Sequence, residues 1–354
     1  MANDEANAEK FMLTASRSFA PWLAATGSSI AFTTYQAGKL FFLSATHEGR
    51  ISVVERTFAR SMGIGVSSDS RALALATQYQ ILRFDNVVAE QAVGAGPDAL
   101  FAPHASWVTG DVDAHDVGWG ADGRPFFINT LFSCISTVSD AHSFKPIWKP
   151  HFITQLAAED RCHLNGMAVE DGVPRYVTAV SPSDVADGWQ EGRVGHGVVI
   201  EVESNEIVAQ GLSMPHSPRL HEGRLWLLNS GTGEFGYVDA QSGRFETIAF
   251  CPGYARGMAF VSNHAVIGLS LARENRTFSG LPLDEALQAR GAAARCGLAV
   301  IDLKRGEMTG WVRIEGVVRE LYDVAVLSDV VRPSLIGFKT DEVRFVLSIE
   351  QWAD

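Results

Sequence analysis

The sequence predicts an all-β chain built from four-stranded blades set radially around a channel, a β-propeller. Two observations carry this. A short apolar strand introduced by a small polar or ionisable group recurs six times, at Ser61–Val66, His115–Gly120, Leu164–Val169, Pro215–Leu220, Ala255–Phe260 and Tyr322–Leu327. Each copy heads a longer unit of four short strands, and units recur at about 50 residues, the period and strand count of propeller blades.

The cleanest unit is 216–250. Ser217–Leu220 leads through a turn at Glu222-Gly223 into Arg224–Leu228. A polar loop follows, then Glu234–Asp239, a turn at Ser242-Gly243, and Arg244–Phe250. Strands of about five residues joined by Gly-containing turns are hairpin-linked meanders. Residues 30–58 fit the last three strands of the same unit. Its first strand is expected near Phe11–Phe19, with a short helix over Pro21–Ala25. The units run 11–58, 59–110, 111–153, 160–212, 214–252, 254–316 and 320–350, which predicts seven blades. Six is the alternative, because the first and last units are imperfect and would then share one blade. An N-terminal strand would complete the last unit and remove a sheet edge. No Pro/Ser-rich linker divides the chain, so one domain is expected over 1–354, with a short N-terminal extension at 1–10.

Composition narrows the function classes. The chain has 354 residues, 46% of them hydrophobic and 20% charged, as in a packed globular protein. Forty-one acidic against 29 basic residues give a net charge of −12. Such a surface repels nucleic-acid phosphate and anionic membranes, so neither is an expected partner. The N-terminus is polar and acidic, without the basic and apolar regions of a secretory signal. No stretch approaches the ~18 apolar residues of a membrane helix. Cys134, Cys162, Cys251 and Cys296 form no C-x-x-C pair and suit a reducing cytoplasm.

Loop lengths are lopsided. Turns from first to second strand and from third to fourth are short. The elaborated segments, 181–197 and 271–296, join second to third strands, and the latter carries a helix expected at Leu283–Gly291. In a meander those loops share one face with the starts of the innermost strands, and function tends to reside on elaborated loops over a rigid scaffold. That face therefore gathers His115, Asp116, His163, Asn165, His216, Arg256, Tyr322 and Asp323 around the channel mouth. Imidazoles and a carboxylate converging on an axis suit Zn²⁺ or Fe²⁺ better than Ca²⁺, with His115, His163 and His216 as the ligands. Asp116 or Asp323 serves as a further ligand or base, Arg256 as an anion binder and Tyr322 as a proton donor. Asn165, Trp189, Asn229 and Gln36 are the further substrate-binding candidates. The bland alternative is a structural ion pair of Arg256 with Asp116 or Asp323, and turn capping by the amides. In Glu159–His163, Arg161 is expected to pair with its acidic neighbours. A Cys162–His163 dyad is not expected, since adjacent residues on an extended chain point to opposite sides.

The motifs Thr33–Leu40, Ile128–Cys134, His163–Gly166, Met214–Arg219, Asn229–Glu234 and Glu274–Gly280 resemble a conserved, uncharacterised bacterial family, sometimes encoded near tetratricopeptide-repeat proteins. The resemblance spans nearly the whole chain and implies no established activity. More distantly, the architecture is similar to propeller enzymes such as streptogramin lyases, gluconolactonases and peptide-amidating lyases, which place a divalent metal or a catalytic histidine at the channel mouth.

Two functions follow as expectations. One is a metal-assisted hydrolase or lyase acting on a small polar or peptide-like molecule at the mouth. The other is a non-catalytic propeller that binds a protein, peptide or glycan on its elaborated face.

Overall fold

A computed structural model describes residues 11–88, 96–271 and 280–349. Their strands form six sheets, each containing a four-stranded antiparallel meander. The innermost strands, in ring order, are Ile64–Val66 (blade 1), Ala114–Trp119 (blade 2), Leu164–Glu170 (blade 3), Pro215–His221 (blade 4), Tyr254–Val261 (blade 5) and Leu321–Leu327 (blade 6). The ring has six blades rather than seven, because the first and last units merge. Blade 6 takes its innermost strand from the C-terminal end of the repeat and its other three, Ser29–Thr34, Lys39–Ala45 and Ile51–Thr57, from the N-terminal end. Ile30 lies opposite Val326 and Phe32 opposite Val324, so the junction closes the ring by main-chain pairing.

The first strand expected near Phe11–Phe19 has a different position. Met12–Ala15 pairs with Glu307–Glu315 as a fifth, outermost strand of blade 5. Pro333–Leu335 likewise covers the outer edge of blade 1, running parallel to Ala99–Val108. Both additions cover edges that would otherwise offer unpaired N–H and C=O groups. A helix at Phe19–Thr26 lies near the predicted one and buries Phe19 and Leu23 against the outer part of blade 6. The N-terminal extension at 1–10 lies outside the described residues.

Second strands show why the sequence repeats as apolar runs. Ala72–Ala76, with sequence ALALA, is buried throughout, as is Ser29–Thr34. A strand inside a blade is packed on both faces by the neighbouring blades, so both sets of alternating side chains must be apolar or internally bonded. Phe32 and Phe41 stack at 4.9 Å within blade 6. All four cysteines are free and buried.

The innermost strands of blades 2 to 6 begin with a bulge. In blade 2, Val117 pairs with Phe127 but Ala114 with Asn129, so three steps on one strand match two on the other. One extra residue sits at the corresponding place in blades 3, 4, 5 and 6. The bulged segments contain His115-Asp116, Asn165, Ser217-Pro218, Arg256-Gly257 and Tyr322-Asp323. A bulge interrupts the two-residue alternation and re-aims side chains, so neighbours such as His115 and Asp116 both serve the axis.

These bulges also lock the blades together by two alternating devices. Asp116 Oδ2 accepts from Met167 N at 3.0 Å, Ser217 Oγ from Gly257 N at 3.0 Å, and Asp323 Oδ2 from Ile64 N at 3.0 Å. Those bonds join blade 2 to 3, 4 to 5 and 6 to 1. At the other three junctions the innermost strands meet through a glycine, beside side-chain bonds such as Trp119 Nε1 to Gly65 O and Ser270 Oγ to Leu321 O. A Cβ on Gly63 would lie 2.8 Å from Asp116 Cα, one on Gly166 3.0 Å from Ser217 N, and one on Gly257 2.5 Å from Val324 N. A six-fold repeat thus carries a three-fold pattern at its centre.

Gly257→Ala therefore tests the ring. It should cost about 3 kcal/mol or more, from overpacking against blade 6 added to its left-handed φ of 77°. Gly49→Ala has a similar φ of 73° with open space around it, and should cost only about 1 kcal/mol. Denaturant unfolding of both variants gives the comparison.

Candidate functional site

At the mouth the predicted residues form a continuous arc. Trp189 stacks on His163 with centroids 4.1 Å apart, and His163 meets His115 edge to face at 4.8 Å. His115 lies 5.5 Å from Tyr322, whose ring lies 4.2 Å beneath the Arg256 guanidinium. Arg256 Nη2 donates to His216 Nε2 at 3.2 Å, and His216 packs edge-on against Tyr254 at 5.8 Å. Residues from blades 2 to 6 and from the 181–197 loop thus share one lining. All seven groups of the arc, from Trp189 to Tyr254, are buried.

The histidines are held differently. His163 Nδ1 pairs with Asp160 Oδ2 at 2.8 Å, with His163 itself at a positive φ of 49°. That carboxylate fixes the ring and leaves Nε2 for chemistry, the arrangement of an oriented general base. His115 Nδ1 lies 3.0 Å from Asp113 O and 2.8 Å from Thr130 Oγ1. His216 donates from Nδ1 to Met214 O at 2.9 Å and accepts at Nε2 from Arg256. Burial first, then the Arg256 charge, hold its pKa well below the ordinary histidine value, so its ring is neutral. The three histidines expected to hold a metal are therefore not equivalent. Among the described residues, no three His, Cys, Asp or Glu side chains are grouped to hold a metal ion. The Arg256 cation already occupies the His216 nitrogen that a metal would need.

Below the arc, Asp116, Asn165, His216, Arg256, Tyr322 and Asp323 enclose a cavity of about 10 Å³, room for about one water. Asn165 Oδ1 accepts from Thr178 Oγ1 at 2.7 Å, while its buried Nδ2 has no hydrogen-bond partner among the described residues. One water here would satisfy it.

Asp116 and Asp323 lie one level deeper. Their counter-ion is Arg219, not the Arg256 weighed from the sequence. Arg219 Nη1 donates to Asp116 Oδ2 at 2.8 Å and Nη2 to Asp323 Oδ1 at 3.4 Å. The three come from blades 2, 4 and 6, in keeping with the three-fold pattern. Burial, then the Asp116 charge, push Asp323 up to about 7 against the pull of Arg219. Arg256 instead lies 3.6 Å from Glu320, the residue just before the blade 6 innermost strand.

The remaining candidates separate by role. Asn229 caps a turn, accepting from Ser213 N at 2.8 Å and donating to Glu234 at 3.3 Å. Gln36 is exposed. Arg161 pairs with Glu159 and Asp184, as its acidic neighbourhood suggests. Burial pushes the Cys162 thiol up to about 12, which suits a packing role and not a nucleophile. The loop residues Val180, Trp189, Leu283 and Leu287 form an apolar cluster with Met214 and Tyr254, a small core under the elaborated face. The helix there spans Pro282–Ala289. The motif residues 274–279 lie outside the described residues.

Two measurements follow. Nitrogen-15 NMR should show His216 as the Nδ1–H tautomer and neutral at the ordinary histidine pKa of about 6.5, and Arg256→Met should move its titration upward. For Asp323, the folded pKa lies above the unfolded value, so the native state holds the extra proton between about 4 and about 7. Its contribution to stability is then greatest below the unfolded pKa and falls as pH rises through that window. Asp323→Ala, compared with the parent by denaturant unfolding across that range, should remove this downward slope.

Comparison with known proteins places the architecture. No curated protein is significantly similar to the chain. Among solved structures, a chain from a nidogen–laminin complex matches with a TM-score of 0.53 at 10% identity, covering 85% of this chain and 98% of that one. At that identity the likeness shows the propeller fold alone. A family model described as a domain of unknown function, DUF4915, matches residues 17–336, and the chain belongs to that family.

Proposed function

We propose that this protein is a hydrolase or lyase acting on a small polar molecule at the histidine-lined mouth. The observation that carries the reading is the Asp160–His163 pair at 2.8 Å, set in an arc that continues to a buried Arg256. His163 Nε2 takes a proton from water or from the substrate, and Asp160 orients the ring and stabilises the imidazolium that results. Arg256, backed by Tyr322 and Glu320, stabilises the negative charge that develops on the substrate. Trp189 supports the His163 ring and provides an apolar wall. Neutral His216 holds the Arg256 head without competing for the anion. The chemistry needs no metal. A metal-assisted variant would rest on His115 and His163, and elemental analysis of protein purified without added metal separates the two.

A second reading is a propeller that docks a protein, peptide or glycan. The apolar core beneath the elaborated loops favours it, since it makes that face a firm platform. The nidogen–laminin structure also contains its matching chain within a protein complex.

Turnover of a panel of esters, lactones and elimination substrates decides between them. Catalysis predicts activity that falls at least about 100-fold in His163→Gln and about tenfold in Asp160→Asn. No turnover by the parent, or turnover indifferent to His163→Gln, would overturn the enzymatic reading.

A further inference from the structure

The larger recess on the axis opens at the other end. Where the innermost strands finish, the channel widens to a funnel of about 910 Å³, separated from the mouth by the Asp116–Arg219–Asp323 layer. That volume lies in the range of small-molecule sites. Its walls mix polar groups with apolar side chains, Val117, Met167, Val324 and Met258 among the latter. Two half-buried aromatic rings face the funnel from opposite blades, Trp119 on blade 2 and Phe260 on blade 5.

The charge of the funnel selects its ligand. On the floor, Arg219 is paired with Asp116 at 2.8 Å. At the rim, Asp69 and Asp171 stand on blades 1 and 3, on either side of the blade that carries Trp119. Ser67 Oγ and Arg71 N donate to Asp69 Oδ1 at 2.6 and 3.0 Å, bonds that favour its ionised form. Three carboxyl groups, Asp69, Asp116 and Asp171, thus line the funnel with one lining guanidinium, Arg219. Trp119 already accepts one cation within the fold, since the Arg83 guanidinium lies 5.4 Å from its ring centre. An indole flanked by carboxylates, above the apolar side chains of the wall, matches a positively charged head on an apolar stem.

We propose that the funnel binds a small organic cation, an alkyl- or arylammonium whose head meets Trp119, Asp69 and Asp171 and whose stem lies against the apolar side chains of the wall. This site is separate from the histidine-lined mouth and does not rest on catalysis there.

Isothermal titration of the full chain with 2-phenylethylamine, against 3-phenylpropionate as the anion of similar shape, tests it. The ammonium should bind saturably and at least tenfold more tightly than the carboxylate. Asp171→Asn, at an exposed turn where either residue fits, should weaken ammonium binding at least threefold. Trp119→Leu should weaken it at least fivefold, with circular dichroism confirming its fold. His163→Gln should leave it unchanged. Equal affinity for the two probes, no saturable ammonium binding, or binding lost in His163→Gln but kept in Trp119→Leu would overturn the proposal.

Discussion

The structure depends on the contact between neighbouring innermost strands at the axis. Six strands converge there, closer than side chains on every strand would allow. The chain resolves the crowding by alternation. Blades 2, 4 and 6 supply a polar side chain, Asp116, Ser217 or Asp323, that bonds to a main-chain N–H of the next blade. Blades 1, 3 and 5 supply a glycine where the preceding device would collide. At the bulges each junction is therefore made by a side-chain bond to a main-chain N–H or by a close glycine contact, and further side-chain bonds cross the glycine junctions. Buried main-chain donors left over by the bulges are satisfied in the same stroke, which avoids the cost of an unpaired N–H.

That arrangement sets the chemistry at both ends. The carboxylates that clamp the blades also need a counter-ion, and blade 4 provides it as Arg219. The layer they form divides the axis into a polar mouth and a wider funnel of mixed polarity. Above it, the bulges turn His115, Asn165, His216, Arg256 and Tyr322 toward one another. Arg256 is stabilised by a ring face, a neutral imidazole and Glu320, so the arc holds a buried cation at one part and the Asp160-oriented His163 at another. Below it, the strands diverge, which yields a funnel walled by polar and apolar groups together, with an acidic rim.

The propeller, its four-stranded unit and its richer face were legible because they rest on local signals: strand length, turn residues and repeat spacing. Blade number was not, since seven imperfect units and six closed blades differ only in whether Ser29–Thr34 pairs with Leu321–Leu327. The gathering of His115, His163, His216, Arg256 and Tyr322 was legible from repeat position. Their individual states were not. Asp160 lies three residues before His163 in an acidic run that also feeds Arg161, and only the folded loop shows which acid takes which partner. Arg219 sat within a recognised repeat, yet its pairing with two aspartates from alternate blades has no local signature.

By itself, the sequence determined that this chain is a ring of β-meanders with ionisable residues at the starts of its innermost strands. Periodicity and turn chemistry are properties of neighbouring residues, and they survive without knowledge of the ring. Tertiary structure decided what those ionisable residues do. The bulges divide them between two depths, and burial with the nearest charge then fixes each protonation state. His216 is neutral because Arg256 adjoins it in a buried site, and Asp323 is raised because burial and Asp116 outweigh Arg219. Those distances exist only once the sixth blade has closed.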